Sequence, residues 1–181
     1  YWMNLESSYQ LWRTRDSDNV ISRRAKLYQL APIKEMVKRH WLEPSENIEV
    51  LESRVKHFLE IKSLDESPQL AHAARKRTQE ISPSQMTWLF RAKQLARGVH
   101  AKAFSDQSFD EVLVRLKQLV HNTQEIRHVP RVLGENGIRF LVVEQLPQTK
   151  IDGVTLWLDN KSPVIVLSLR FDRIDWFWYT L

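Results

Sequence analysis

Six histidines, His40, His57, His72, His100, His121 and His128, are the side chains best suited to hold a metal or move a proton. None stands four residues from another, the spacing that sets two imidazoles on one helix face for zinc. His57 and His72 straddle a predicted loop and are the one pair that could share an ion across it. Asp172 and Asp175 lie about one helical turn apart, where a carboxylate serves a helix N-terminus more readily than acid–base chemistry. With 4 glycines there is no Gly-rich phosphate loop, and no Gly-x-Ser-x-Gly nucleophile turn occurs. The absence of cysteine excludes a disulfide scaffold, a cysteine zinc ribbon and a thiol nucleophile, and suits a reducing, cytoplasmic setting. No residue is therefore assigned as catalytic or as a metal ligand, and no cofactor is expected on this chain.

Charge gives a second lead. The net charge is +5, and its basic excess lies in residues 61–103. There Lys62, Arg75, Lys76, Arg77, Arg91, Lys93, Arg97 and Lys102 face only Asp65, Glu66 and Glu80. Such a stripe reads either as a solvated helix face or as an electrostatic footprint for nucleic acid. Arg75, Lys76, Arg77, Arg91, Lys93, Arg97 and Lys102 are the candidate contacts, with weak, salt-sensitive DNA association expected through them.

The elements that must carry these groups follow from hydrophobic period and breakers. With 181 residues, 43% hydrophobic and 27% charged, the chain has the composition of one or two globular domains. No run approaches 18 apolar residues, so no membrane span is expected. The N-terminus does not read as a signal peptide, and Met3 is not the first residue. Helices are predicted over residues 4–15 and 20–30, separated by a turn at Asp16-Ser17-Asp18-Asn19, then over 33–41 after Pro32 and over 45–60 capped by Ser45. Residues 63–69 read as a loop. Ser82-Pro83-Ser84 opens a helix running to about Ala103, which with a second helix over 109–121 should form a hairpin. A tetratricopeptide array is excluded because no second copy recurs at a fixed period.

At Gly134-Glu135-Asn136-Gly137 the character changes to a helix C-terminus feeding a strand. Three β-rich runs follow, at 138–144, 154–158 and 164–169, separated by turn residues at Asp152-Gly153 and 159–163. The five-residue connection between the last two permits only an antiparallel hairpin. A final helix over 172–181 places Ile174, Phe177, Trp178 and Leu181 at helical spacing, with Trp178 or Leu181 expected on an exposed apolar face. The fold class is thus α+β: a mostly helical N-terminal two-thirds, then a small three-stranded, at least partly antiparallel sheet and a final helix. The organisation reads as a helical region over 1–62, a linker over 63–82, and a unit over 83–181.

The run Gln148-Thr149-Lys150-Ile151-Asp152-Gly153-Val154-Thr155-Leu156-Trp157-Leu158, followed by residues 162–181 (SPVIVLSLRFDRIDWFWYTL), closely resembles the start of the ImmA/IrrE metallopeptidase-like domain. Met86-Thr87-Trp88-Leu89-Phe90-Arg91 and residues 109–119 are similar to the helical segment before that domain in HigA-like proteins. Residues 1–9 resemble the last helix of an Xre-type helix-turn-helix domain. The resemblance implies a truncated zincin-like fold in which Lys150, Asp152, Gly153, Trp157, Ser168, Arg170, Asp172, Asp175 and Trp178 are structural members of the motif. It also implies that the DNA-reading helices precede Tyr1 and that a His-Glu-x-x-His zinc motif follows Leu181, so no ligand or general base is carried over. Zinc is expected only where the full-length protein continues into that motif.

These implications point to the scaffold of an Xre/HigA-like transcriptional regulator or antitoxin, carrying a metallopeptidase-like sensing or docking domain. The alternative is a zinc-dependent endopeptidase that cleaves a partner protein such as a repressor; a third reading is an interaction module that has lost its chemistry. The expected partners are DNA through the preceding domain, a toxin or cleaved repressor, and a second copy in a homodimer, with no membrane. One of the three strands is expected to offer a peptide-docking edge.

Overall fold

A computed structural model describes residues 2–70, 81–105, 109–121 and 123–181. The chain divides into two compact units, Tyr1–Pro68 and Gln69–Leu181, and its class is α+β, with helices followed by a three-stranded sheet and a last helix.

The first unit holds α1 (Trp2–Leu30), α2 (Ile33–Lys38) and α3 (Ile48–Leu59). The turn expected at Asp16-Ser17-Asp18-Asn19 is absent: α1 runs straight through it. Asp, Ser and Asn cost only tenths of a kcal/mol apiece in a helix interior, about 0.7 at most, and no Gly or Pro stands in residues 1–30 to break the ladder. Pro32 then ends it. The cap of α3 also differs from expectation. Asn47, not Ser45, accepts from the backbone N–H groups of Glu49 and Val50 at 2.8 and 3.3 Å, while Ser45 donates to the Asn47 carbonyl. Leu27, Met36, Leu51, Val55, Phe58 and Leu59 form the buried interior of this unit, and α1 packs along α3.

Both α2 and α3 end in the same way. The N–H of Trp41 bonds to the Met36 carbonyl and that of Ile61 to the Lys56 carbonyl, around His40 (φ 55°) and Glu60 (φ 54°) in left-handed conformation. Glycine occupies this position without steric cost, whereas a side chain there costs about 1–2 kcal/mol. His40→Gly should therefore stabilise the unit by about 1 kcal/mol, read as a higher urea midpoint at unchanged slope.

Across the α1–α3 seam, Arg23 donates to Glu52 at 3.0 and 2.6 Å and Lys56 adds a contact at 3.0 Å. The Arg23 hydrogen bonds hold the Glu52 carboxyl below the ordinary carboxylate range, against the opposing effect of burial. A carboxylate whose folded pKa is depressed contributes stability above its unfolded pKa and loses it as pH falls through the folded one. Acid unfolding of this unit should therefore steepen below about pH 4.3. Glu52→Gln should flatten that slope and lower stability at neutral pH, a difference read from urea titrations at successive pH values.

The second unit opens with α4 (Pro83–Arg97). Its start is a capping box: Ser82 Oγ accepts from the Gln85 N–H and Gln85 Oε1 accepts from the Ser82 N–H. Its end comes earlier than the period of Val99 and Ala103 suggested, because Gly98 takes the C-cap. The hairpin expected with α5 (Phe109–Val120) is also replaced. α4 packs on the first strand, while α5 packs on a 3-10 helix (Thr123–His128), which the sequence does not announce, and on α6 (Val129–Glu135), of which it announces only the C-terminus. The partner of α4 is fixed by its own large apolar residues: Trp88 and Phe90 are fully buried, and the Trp88 indole donates to the Val143 carbonyl at 3.2 Å.

The helix-to-strand transition at 134–138 follows expectation. The Gly137 N–H bonds to the Gly134 carbonyl and the Ile138 N–H to the Leu133 carbonyl at 2.9 Å, with Gly137 at φ 81°. This is the paired-bond ending that calls for glycine. The strands are β1 (Arg139–Val142), β2 (Gly153–Trp157) and β3 (Pro163–Leu167), in spatial order β1-β3-β2. β2 and β3 form the expected antiparallel hairpin, with Val154 opposite Val166. β1 lies parallel to β3, with Phe140 opposite Ile165, so the sheet is mixed. β3 is central, which explains its continuous apolar run: both faces and both edges are occupied. The last helix, α7 (Ile174–Thr180), buries Phe177 with Val112, Val129, Leu133, Ile138 and Leu167. Trp178 and Leu181, expected on an exposed face, instead pack against this core; Ile174 and Tyr179 are the exposed apolar positions of α7.

Candidate functional site

The expected nucleic-acid residues divide in the structure. Arg75, Lys76 and Arg77 lie outside the described residues, as does His72. Along α4, Lys93 and Arg97 are four residues apart and share a face, but Arg91 is turned about 200° from Lys93. Arg91 is half-buried, and desolvation pushes its pKa down from the usual guanidinium value. Lys93 sits 5.6 Å from the Phe90 ring centroid, and Arg97 is exposed. Lys102 is exposed beyond the helix, its N–H bonded to the Gly134 carbonyl. The described basic residues therefore do not line up as one stripe.

Four of the motif residues, Asp152, Gly153, Ser168 and Arg170, in contrast, converge where β2 begins and β3 ends. Ser168 is buried: its hydroxyl donates to the Ile151 carbonyl at 2.6 Å and its N–H to the Asp152 carbonyl at 2.9 Å. The main-chain bond prolongs the β2–β3 ladder by one residue, and the hydroxyl bond ties the Ile151 carbonyl beside it. Arg170 stands 3.7 Å from Asp152 Oδ1 and 4.8 Å from the Phe171 ring centroid. A Cβ on Gly153 would come within 2.8 Å of both Leu167 Cδ2 and Thr180 Cγ2. Glycine here is what lets α7 approach the hairpin. Lys150 is exposed at φ 49° just before β2. Trp157, at the far end of β2, meets Phe104 edge-on at 5.6 Å.

The two aspartates of α7 do not cap it as a pair. Asp172 takes φ 45° in the preceding turn and is exposed; Arg173 occupies the N-cap position without a side-chain cap. Asp175 lies in the first turn, where Arg173 donates to it at 3.0 and 2.5 Å. That pairing, aided by the backbone N–H groups of the turn, holds its carboxyl below the usual range. Trp178 is half-buried and packs edge-on with Phe177 at 5.3 Å.

Sequence reasoning missed two participants. Gln85 Nε2 donates to the Thr149 carbonyl at 2.8 Å, tying the start of α4 to the segment before β2. Trp176 sits in an aromatic row between Phe171 and Tyr179, with centroids 4.7 and 5.3 Å away. The capping-box spacing Ser82-x-x-Gln85 was a usable local signal for the first; nothing local announces its long-range bond. Gln85, Lys150, Asp152, Trp176 and Tyr179 surround a cavity of about 300 Å³. A second hollow of about 470 Å³, mainly apolar, lies among Ile126, Phe140, Leu169, Ile174 and Phe177.

Among the described residues no three His, Asp or Glu side chains gather as a metal-binding group, and no helix is long and apolar enough to cross a membrane. No family model matches the chain, and no curated protein or solved structure matches it.

Proposed function

We propose that the chain is the scaffold portion of an Xre/HigA-like transcriptional regulator or antitoxin that carries an ImmA/IrrE metallopeptidase-like sensing or docking domain. The observation that supports this reading most is the junction of hairpin and last helix. Ser168 bonds to Ile151, Arg170 faces Asp152, and Gly153 admits Thr180. These motif members act together to seat α7 on the β2–β3 hairpin. In the family the chain resembles, the last helix leads into the zinc motif, and such a site needs a rigidly placed helix. On this reading the protein is cytoplasmic. Its partners are operator DNA through a preceding helix-turn-helix domain, a toxin or cleaved repressor, and a second copy of itself.

One feature favours the alternative, a zinc-dependent endopeptidase acting on a partner protein. β2 is an edge strand of the sheet, and an extended peptide can add to such an edge through main-chain hydrogen bonds. The discriminating experiment is footprinting with the natural full-length polypeptide on its own promoter region, with zinc content measured on the same preparation. A protected operator supports the regulator. Stoichiometric zinc with zinc-dependent cleavage of a co-expressed repressor, and no footprint, supports the peptidase. A protein that gives neither overturns both.

A further inference from the structure

The hairpin expected of α4 and α5 would cover the apolar face of α5; with α4 on β1 instead, only half of that face is covered. Val112 is buried, and Leu116 and Leu119 pack against the core around Val129, Leu133, Ile138 and Phe177. Beside them Phe109, Leu113 and Val120 stay 44%, 40% and 46% exposed. Phe109, Leu113, Leu116 and Val120 follow one another at spacings of four, three and four residues. At about 100° per residue they fall within an arc of about 60°, a seam of the kind that two helices bury between them. Isolated exposed apolar residues are ordinary, whereas a contiguous row marks an interaction surface.

The charges beside the seam say what covers it. Asp110 and Lys117 stand seven residues apart, about two helical turns, on the flank away from the core. Both are exposed, and neither has an ion-pair partner among the described residues. The opposite flank holds Val112 and Leu119, already committed to the core. We propose that this seam of α5 binds the same seam of a second copy of the chain, antiparallel, with Asp110 of each copy beside Lys117 of the other. In that arrangement Leu113 layers on Leu116 of the second copy and Phe109 on its Val120, and the two-fold axis makes every contact twice. A parallel pair would set each charged flank against the committed apolar flank and leave both charges unanswered. The 12 residues of α5 extend about 18 Å. A contact of that length falls short of the standard interface of about 1,200–2,000 Å², so the dimer is weak and set by concentration. The assignment deepens the self-association in the reading above and rests on that part of it alone.

The test is sedimentation equilibrium of the whole chain at loadings up to about 1 mM, with far-ultraviolet circular dichroism as the folding control. The chain should show a reversible monomer–dimer equilibrium. Leu113→Glu should abolish it at unchanged circular dichroism, since Leu113 is exposed. Asp110→Lys sets lysine beside lysine, and Lys117→Asp sets aspartate beside aspartate. Each alone should dimerise about tenfold more weakly. Mixing the two variants should restore association, because one then presents only lysines and the other only aspartates along that flank. Such recovery needs a second copy in this orientation. A chain monomeric at every loading overturns the proposal and leaves the seam to a different occupant. A dimer that survives Leu113→Glu overturns this interface while keeping self-association, and so does a mixture no tighter than its components. Operator footprinting and zinc content are read separately, so failure here stays distinct from failure of the regulator reading.

Discussion

Gly137→Ala should destabilise the second unit by about 3–5 kcal/mol, one of the largest losses that a single added methyl can cause in this chain. Two costs combine. Gly137 holds φ 81°, a conformation that costs an L-residue about 1–2 kcal/mol. The new Cβ would also lie 2.4 Å from Phe104 Cα and 2.5 Å from its nitrogen. Those are backbone atoms, so no rotamer change relieves the clash; residues 103–104 or the start of β1 must move. Phe104 meets Trp157 edge-on, which carries the displacement to the far end of the hairpin. Chemical denaturation followed by tryptophan fluorescence reads both the lost stability and the altered Trp157 environment. Gly98→Ala is the control. Its φ is −85° and its nearest neighbour, the Leu95 carbonyl oxygen, would be 3.5 Å away, so it should be neutral or stabilising by about 0.5 kcal/mol. Equal losses from the two substitutions would show that glycine at 137 is not demanded by the turn.

That contrast also marks what a single sequence can reveal. The ending at Gly134-x-x-Gly137 and the β2–β3 hairpin were legible because both are local: the αL position asks for glycine and the five-residue connection leaves one pairing. The strand order was not legible. Residues 143–152 carry the chain past β3 before β3 exists in sequence, and the parallel pairing of Arg139–Val142 with Val164–Leu167, prolonged by the Val143 N–H bond to the Leu167 carbonyl, sets β1 beside it. Likewise, a polar cluster such as 16–19 resembles a turn, yet without Gly or Pro its helix propensity deficit is too small to stop α1. At Gly98 the error ran the other way: continuing apolar period outweighed a real stop signal. The site divides by the same rule. Asp152, Gly153, Ser168 and Arg170 were marked by resemblance, because they lie within one continuous motif. The Trp176 indole counts as unsatisfied only once every neighbour of α7 is known, and Gln85 meets Thr149 across 64 residues.

Trp88→Ala should cost more than any other truncation in the second unit, about 3–5 kcal/mol from the cavity alone. Trp88 is fully buried in α4 and is the unit's largest buried side chain. A further loss follows from the Val143 carbonyl, which accepts the indole N–H at 3.2 Å. Val143 is itself buried, so removing the donor leaves an acceptor that water does not reach, worth about 1–3 kcal/mol. Trp88→Phe separates the two contributions. It retains most of the apolar contact and removes only the donor, so its loss should approach the hydrogen-bond figure and stay well below that of alanine. The position of the bond makes the effect more than local. Val143 directly follows β1, and its own N–H completes the parallel ladder to Leu167, so loosening its carbonyl side exposes the β1–β3 edge first. Amide hydrogen exchange should therefore show Val143 and the β1 amides losing protection in Trp88→Phe while the β2–β3 hairpin keeps its own. Uniform loss across all three strands would instead mean that the sheet opens as one cooperative piece, with the indole bond contributing only to its overall stability.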